Sequence, residues 1–212
     1  MQRELFPNQE HRSLNNWSSS VPLATSMRPR SLDEFLGNEA LVGDSGVLKD
    51  LIKKDHIPSM IFWGPPGCGK TSLAYIVAET SKASFVSFSA VMAGVTDIRK
   101  VAEQAKEQLI ATGRKTILFI DEIHRFNKAQ QDAILPYVES GLVTLIDATT
   151  ENPSLEVIGA LLSRCKIFVL EPLSPSDIRK LIELALNDAE RGAWEVECFY
   201  RRASYCHDYF VC

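Results

Sequence analysis

The chain predicts an α/β fold, with a five-stranded, mostly parallel sheet carrying helices on both faces. Three observations carry that expectation. Gly64-Pro65-Pro66-Gly67-Cys68-Gly69-Lys70-Thr71 has the spelling G-x-x-x-x-G-K-[ST] of a phosphate-cradling loop, set between an apolar run and a helical stretch. Ile117-Leu118-Phe119-Ile120 is a second apolar run, ending in two carboxylates, Asp121 and Glu122. Around these two, short apolar runs alternate with stretches whose apolar residues recur at helical spacing.

Taken in order, residues 1–20 are rich in Asn, Gln and Ser and read as a flexible lead-in. The nucleotide-binding core is expected over 21–171. Val47, Leu48, Leu51 and Ile52 line one side of a helix over 47–54. Met60-Ile61-Phe62-Trp63 is apolar throughout, as a strand buried on both faces should be. After the loop, Leu73, Ala74, Val77 and Ala78 make a helical stripe. The second strand spans 84–89. Asp97 is placed to cap a helix striped by Ile98, Val101, Ala102, Ala105 and Leu109. A third strand covers 116–120, and a helix over 128–140 is expected to kink at Pro136. Strand 142–148, helix 156–162 and strand 166–170 follow. Ser174-Pro175-Ser176-Asp177 has helix-start chemistry for 178–186. Beyond 187, Trp194, Phe199, Tyr200, Tyr205, Tyr209 and Phe210 crowd together without a period, and 187–212 stands apart as an atypical tail.

Bulk properties narrow the function classes. At 212 residues, with 45% hydrophobic and 24% charged content, the chain can bury one sizeable core. No run is long enough and apolar enough to cross a bilayer, and the polar N-terminus lacks the apolar centre of a secretion signal. Neither membrane insertion nor secretion is expected. The five cysteines show no metal-ligand or disulfide spacing. A net charge of −4 carries no electrostatic signature of nucleic-acid binding.

The motifs carry the chemistry. Glycines let the loop wrap until its backbone N–H groups point at phosphate oxygens. Lys70 can reach the β- and γ-phosphates as a compact cation, and the Thr71 hydroxyl can ligate Mg²⁺. Asp121 is the second candidate Mg²⁺ ligand, and Glu122 the candidate base that activates water. Taken alone, an acidic pair after a strand marks a loop as often as a site. Ala148-Thr149-Thr150-Glu151-Asn152 ends the fourth strand, where open parallel sheets line their ligand crevice. It reads either as a set of γ-phosphate contacts or as a polar turn. Arg164, in Leu161-Leu162-Ser163-Arg164-Cys165, reads either as a helix-dipole partner or as an arginine finger for a neighbouring subunit.

GPPGCGKT, ILFIDEIHRFNKAQQD, ATTENPS and LLSRC, in this order and spacing, resemble the AAA+ ATPase module. More narrowly, they resemble the replication-associated recombination protein A family, whose eukaryotic member is the Werner helicase-interacting protein. The resemblance covers roughly residues 21–186. It implies ATP and Mg²⁺ as ligands, Gly64 to Thr71 on the phosphates and Asp121 and Glu122 as the Walker B pair. It also implies Thr150 at sensor 1, Arg164 as a trans-acting finger and Ser89 as a residue restraining the catalytic glutamate. The implied activity is DNA-dependent ATP hydrolysis in replication and repair at stalled forks, by ring-like oligomers working with replication and repair proteins. The implied location is the nucleus in a eukaryote and the cytoplasm otherwise. By the same resemblance, 172–186 is expected to be the start of the family's helical lid. A regulatory nucleotide-binding fragment without turnover of its own is the alternative. A DExH helicase, suggested by Asp121-Glu122-Ile123-His124, would need a second motor domain.

Overall fold

In the computed structural model, residues 22–54, 57–81, 83–89, 94–188 and 190–192 are described. The flexible lead-in expected at 1–20, and all of the tail past 192, lie outside them. Five strands form one sheet: β1 (Met60–Trp63), β2 (Ser84–Ser89), β3 (Thr116–Asp121), β4 (Val143–Thr149) and β5 (Lys166–Val169). Their order is β2-β3-β4-β1-β5 and every pairing is parallel. All strands therefore deliver their carboxyl ends to the same edge, with β3, β4 and β1 side by side. Nine α-helices are described: α1 (Leu23–Ser26), α2 (Glu39–Val42), α3 (Val47–Lys53), α4 (Lys70–Thr80), α5 (Val95–Thr112), α6 (Lys128–Glu139), α7 (Pro153–Glu156), α8 (Gly159–Leu162) and α9 (Pro175–Asn187).

Alternation along each strand sorts the core into two layers. On one face Met60, Phe62, Ile117, Phe119, Ile146 and Ala148 pack with Leu48 of α3 and Leu73, Ala74, Ile76 and Val77 of α4. On the other face Ile61, Leu118, Ile120, Val143 and Leu145 pack with Ile98, Val101 and Ala105 of α5, Ile134 of α6 and Leu161 of α8. Each such fully buried aliphatic or aromatic side chain contributes about 1.5–3 kcal/mol of transfer free energy. That is why β1 and Ile117–Ile120 of β3 are apolar on both faces, while β4 departs from the pattern at buried Asp147 and Thr149.

Two local expectations are corrected. Asp97 is not the residue that caps α5. Gly94 is the N-cap, and Asp97, three residues on, accepts the Gly94 N–H at 3.0 Å through Oδ2. The single helix expected over 156–162 is two short ones, α7 and α8, separated by extended backbone at Val157 and Ile158. Buried Gln131 of α6 is the reason. Its amide donates to Glu156 O at 3.1 Å and accepts from Ile158 N at 2.9 Å, replacing the helical hydrogen bonds lost at the break. Helix α6 runs on through Pro136, and Asn127 and Gln130 cap it reciprocally, with bonds of 2.9 and 2.8 Å.

Among the described residues the chain forms two compact units, one spanning Pro29–Leu181 and one drawn from 22–28 and from 182–192. The first holds the sheet. Within it the Asn38 amide pairs with the Glu171 backbone through bonds of 2.8 and 3.2 Å, fixing the segment that carries Phe35. In the second, the Ser26 hydroxyl donates to Arg191 O at 2.7 Å, and Arg191 pairs with Asp188 at 2.8 Å.

Candidate active site

The phosphate loop follows β1 directly, and its glycines are required by their surroundings. A Cβ at Gly64 would lie 2.4 Å from the Leu170 carbonyl oxygen, a backbone atom that cannot step aside. Gly69, the N-cap of α4, has φ +93°, and a Cβ there would lie 2.7 Å from the Phe35 ring. Phe35 is 8% exposed and packs against the loop from outside. Pro65, Pro66 and Gly67 form the exposed rim, while Cys68 turns into the core. Lys70 is folded back into the loop. Its ammonium donates to Gly64 O at 2.7 Å and Pro65 O at 2.8 Å. Thr71 sits half-buried in the first turn of α4, whose unpaired N–H groups give that end partial positive charge.

Asp121 closes β3 between Ser89 and Ala148, its register partners on β2 and β4. Strand alternation places it on the sheet face of Phe119, the face that α4 covers. Glu122 then turns the chain with φ +62° and ψ +63°, a left-handed conformation uncommon outside glycine. Two bonds hold that turn. Glu122 N donates to Ala148 O at 3.0 Å, and Ile123 N donates to Asp147 Oδ1 at 2.9 Å. A single 3-10 turn, Ile123–Arg125, follows and brings two side chains back onto Glu122. Arg125 Nε donates to Glu122 Oε2 at 2.7 Å, and His124 Nε2 lies 3.6 Å from the same oxygen. The other His124 nitrogen, Nδ1, is 3.0 Å from the Thr149 hydroxyl.

Asp147 is fully buried on β4, and among the described residues its Oδ2 has no hydrogen-bond partner. Burial pushes its carboxyl up to about 8. The Ile123 N–H opposes that shift, and the nearby Asp121 and Glu122 charges add to it. Burial likewise raises the Cys165 thiol to about 12, with the Asp147 charge adding to the effect.

The carboxyl ends of β1, β3 and β4 thus bring together Gly64 to Thr71, Asp121, Glu122 and Thr150. Thr150 is half-buried directly after β4. Arg164 is not part of this group. It precedes β5, at the amino ends of the strands, and a four-residue strand rises roughly 13 Å. There the Arg164 guanidinium donates to Ala160 O at 2.7 Å and pairs with Glu139 at 2.5 Å. It cannot serve the phosphate loop of its own chain. Phe35 and Asp147 escape the motif reading, and His124 and Arg125 stand inside the quoted ILFIDEIHRFNKAQQD stretch without a role assigned to them. Of the first two, Asp147 leaves a sequence signal, as an acid inside the apolar run Leu145-Ile146-Asp147-Ala148.

Residues 60–173 match the model of the ATPase family associated with various cellular activities (AAA). The chain belongs to the AAA ATPase family. Among curated proteins, this AAA chain is 50% identical over 171 residues to the replication-associated recombination protein A of Haemophilus influenzae, covering 81% of itself and 38% of that relative. It is 51% identical over 168 residues to ATPase WRNIP1 of Dictyostelium discoideum, covering 79% of itself and 19% of that protein. The chain therefore spans well under half of the relatives it matches. Among solved structures, the Thermotoga maritima RuvB Holliday junction branch migration motor superposes with a TM-score of 0.61 at 31% identity. That match covers 76% of this chain and 54% of the motor. The five-stranded parallel sheet with helices on both faces is the AAA nucleotide-binding core expected from the motifs.

Proposed function

We propose that the chain binds ATP with Mg²⁺ and hydrolyses it, as the motor core of a DNA-dependent AAA ATPase of replication and repair that acts at stalled forks. The observation that supports this most strongly is that Lys70 and its loop at the end of β1 share the carboxyl edge of the sheet with Asp121 and Glu122 at the end of β3, with only β4 between them. The loop fits a triphosphate. Its clearance at Gly64 and Gly69 is filled by protein from outside, while a Cβ at Gly67 would meet nothing within 4 Å on the rim. Gly64, Pro65, Pro66, Gly67, Cys68, Gly69, Lys70 and Thr71 are proposed to cradle the phosphates. Lys70 exchanges its two carbonyl contacts for phosphate oxygens at little electrostatic cost, because it is already held as a cation among acceptors. Thr71 and Asp121 would hold Mg²⁺, which when bound would supply positive charge that offsets the negative charge developing on the phosphates. Glu122 orients a water and accepts its proton. Thr150 contributes a hydroxyl beside it at the end of β4.

Arg164 is proposed to act in trans. It sits at the strand ends opposite its own phosphate loop, so only a neighbouring copy's nucleotide could receive it. The Glu139 pair would have to open first. DNA, replication and repair proteins, a ring-like assembly and a nuclear or cytoplasmic location are proposed from the family resemblance of the motifs, and the replication and recombination in the relatives' names support the first two. Because Arg164 lies so far from its own site, a nucleotide-binding regulatory fragment that needs a full-length partner for turnover is the second reading. Replacing Glu122 by Gln is expected to preserve ATP binding in a calorimetric titration while cutting phosphate release at least tenfold. Unchanged turnover would remove Glu122 as the base.

A further inference from the structure

Two segments bracket the phosphate loop. The Phe35 ring lies against Gly69 near its end, and the Leu170 carbonyl lies against Gly64 at its start. Neither glycine has room for a Cβ, so the path of the loop follows where those two groups stand. Leu170 is itself held to β1, donating its N–H to Trp63 O at 2.7 Å. The two segments are distant in the chain, and Asn38 joins them. Three residues after Phe35, its amide oxygen accepts from Glu171 N at 2.8 Å and its amide nitrogen donates to Glu171 O at 3.2 Å. This side chain forgoes a local role to reach Glu171. It stands at the N-cap of α2, where asparagine ordinarily accepts from the first helical turn, yet it makes no capping bond. Its backbone lies in the left-handed region, φ +54° and ψ +41°, which Asn tolerates better than most residues. Beside it, a Cβ at Gly37 would lie 3.0 Å from Leu173 Cδ2, so the same two segments also pack closely there.

We propose that Asn38 is a positioning residue for phosphate binding: by clasping Glu171 it closes a brace around the loop, with Phe35 on one arm and Leu170 on the other. This rests on the loop being the phosphate site. Asn38 acts through those two arms, which fix the loop at Gly69 and Gly64. A cradle already held in its receiving shape loses less freedom when a ligand enters, so loosening the brace is read in affinity. The clasp is half-buried and within reach of water, so its two bonds exchange with water bonds when it opens and contribute only modestly to folding. Affinity and stability therefore separate at this residue.

The test uses the 212-residue chain. Binding of a fluorescent ATP analogue with Mg²⁺, its displacement by inorganic tripolyphosphate, and the thermal midpoint without nucleotide are measured for Asn38→Gly, Asn38→Asp, Phe35→Ala and the double variant Asn38→Gly/Phe35→Ala. Glycine keeps the left-handed backbone and removes the clasp. Asn38→Gly is expected to weaken the analogue and tripolyphosphate alike, by about threefold to tenfold, while the midpoint moves by less than about 5 °C. Aspartate keeps the acceptor for Glu171 N, so Asn38→Asp should recover part of the lost affinity. With Phe35 already Ala, one arm of the brace is gone, and Asn38→Gly should weaken binding by less than it does alone. Unchanged tripolyphosphate affinity in Asn38→Gly overturns the brace, as does an Asn38→Asp chain that binds as weakly as Asn38→Gly. Should Asn38→Gly melt too early to titrate, Asn38→Asp decides by the same readout: weaker tripolyphosphate binding than the unsubstituted chain supports the brace, and equal binding overturns it. In all these cases the phosphate site stands, because tripolyphosphate displaces the analogue from the unsubstituted chain. If it does not displace it there, the phosphate site itself falls and takes the brace with it.

Discussion

The phosphate loop after β1 and the acidic turn after β3 both continue a buried parallel strand, yet they are held by opposite means. The loop is shaped by backbone and sterics. Gly64 fits under the Leu170 carbonyl, Gly69 fits under Phe35, and Lys70 is satisfied by the loop's own carbonyls. The acidic turn is shaped by side chains: the Asp147 carboxylate beneath it, and Arg125 and His124 around Glu122. A backbone cradle has one low-energy shape and is preformed for a ligand. A side-chain arrangement of partly exposed charges has alternatives that differ by about 1 kcal/mol. The grip is rigid and the chemistry is adjustable.

Substitutions can break this contrast, starting with the loop. Gly69→Ala should lower stability by about 2–5 kcal/mol in urea unfolding, combining the cost of a positive φ with the clash against Phe35. Trimming the clash with Phe35→Ala should make the two changes less than additive. Strict additivity would show that Phe35 does not shape the loop.

Asp147 tests the anchor of the other region. Its carboxyl titrates near 8 when folded, against the ordinary carboxylate range when unfolded, so the folded state binds the extra proton between those values. Stability therefore falls as pH rises through that window, and the full penalty is reached only above the folded value. Asp147→Asn keeps the acceptor for Ile123 N but cannot ionise. It should match the unsubstituted chain near pH 4 to within about 1 kcal/mol and exceed it by about 2–4 kcal/mol or more at pH 9. Parallel stability curves would show that Asp147 is not the titrating group.

Lys70→Ala should weaken ATP binding at least tenfold by calorimetry. Stability should move by less than about 1 kcal/mol, since the carbonyls it leaves sit beside an open rim. A large stability loss would instead make Lys70 a structural part of the loop. The smallest effect belongs to the far end of the sheet. Glu139→Ala should cost under about 1 kcal/mol, because it and Arg164 are partly exposed. If Arg164 serves a neighbour, freeing it should leave turnover intact or raise it in an assembled sample. A fall in turnover would mean that Glu139 holds Arg164 in its working position.

Much of this was legible in the sequence, for a physical reason. A strand buried on both faces must be an unbroken apolar run, and a loop wrapped around phosphate must be glycine-rich. Both constraints act over a few adjacent residues. Met60 to Thr71 and Thr116 to Glu122 could thus be read directly, and the five strands fell within a residue or so of their observed limits. The break between α7 and α8 was hidden, because what replaces its lost hydrogen bonds is Gln131, on another helix.

By itself the sequence determined the α/β class, the phosphate loop and the acidic pair, since each is written in contiguous residues whose chemistry allows little else. Tertiary structure alone decided the strand order that sets β3, β4 and β1 side by side. It alone brought Phe35 against Gly69, Asp147 beneath Ile123 and His124 onto Thr149, and it put Arg164 at the wrong end of its own sheet to serve its own loop. These are contacts between residues far apart in the chain, selected by burial and by the need to pair every buried polar group, and no local pattern records them.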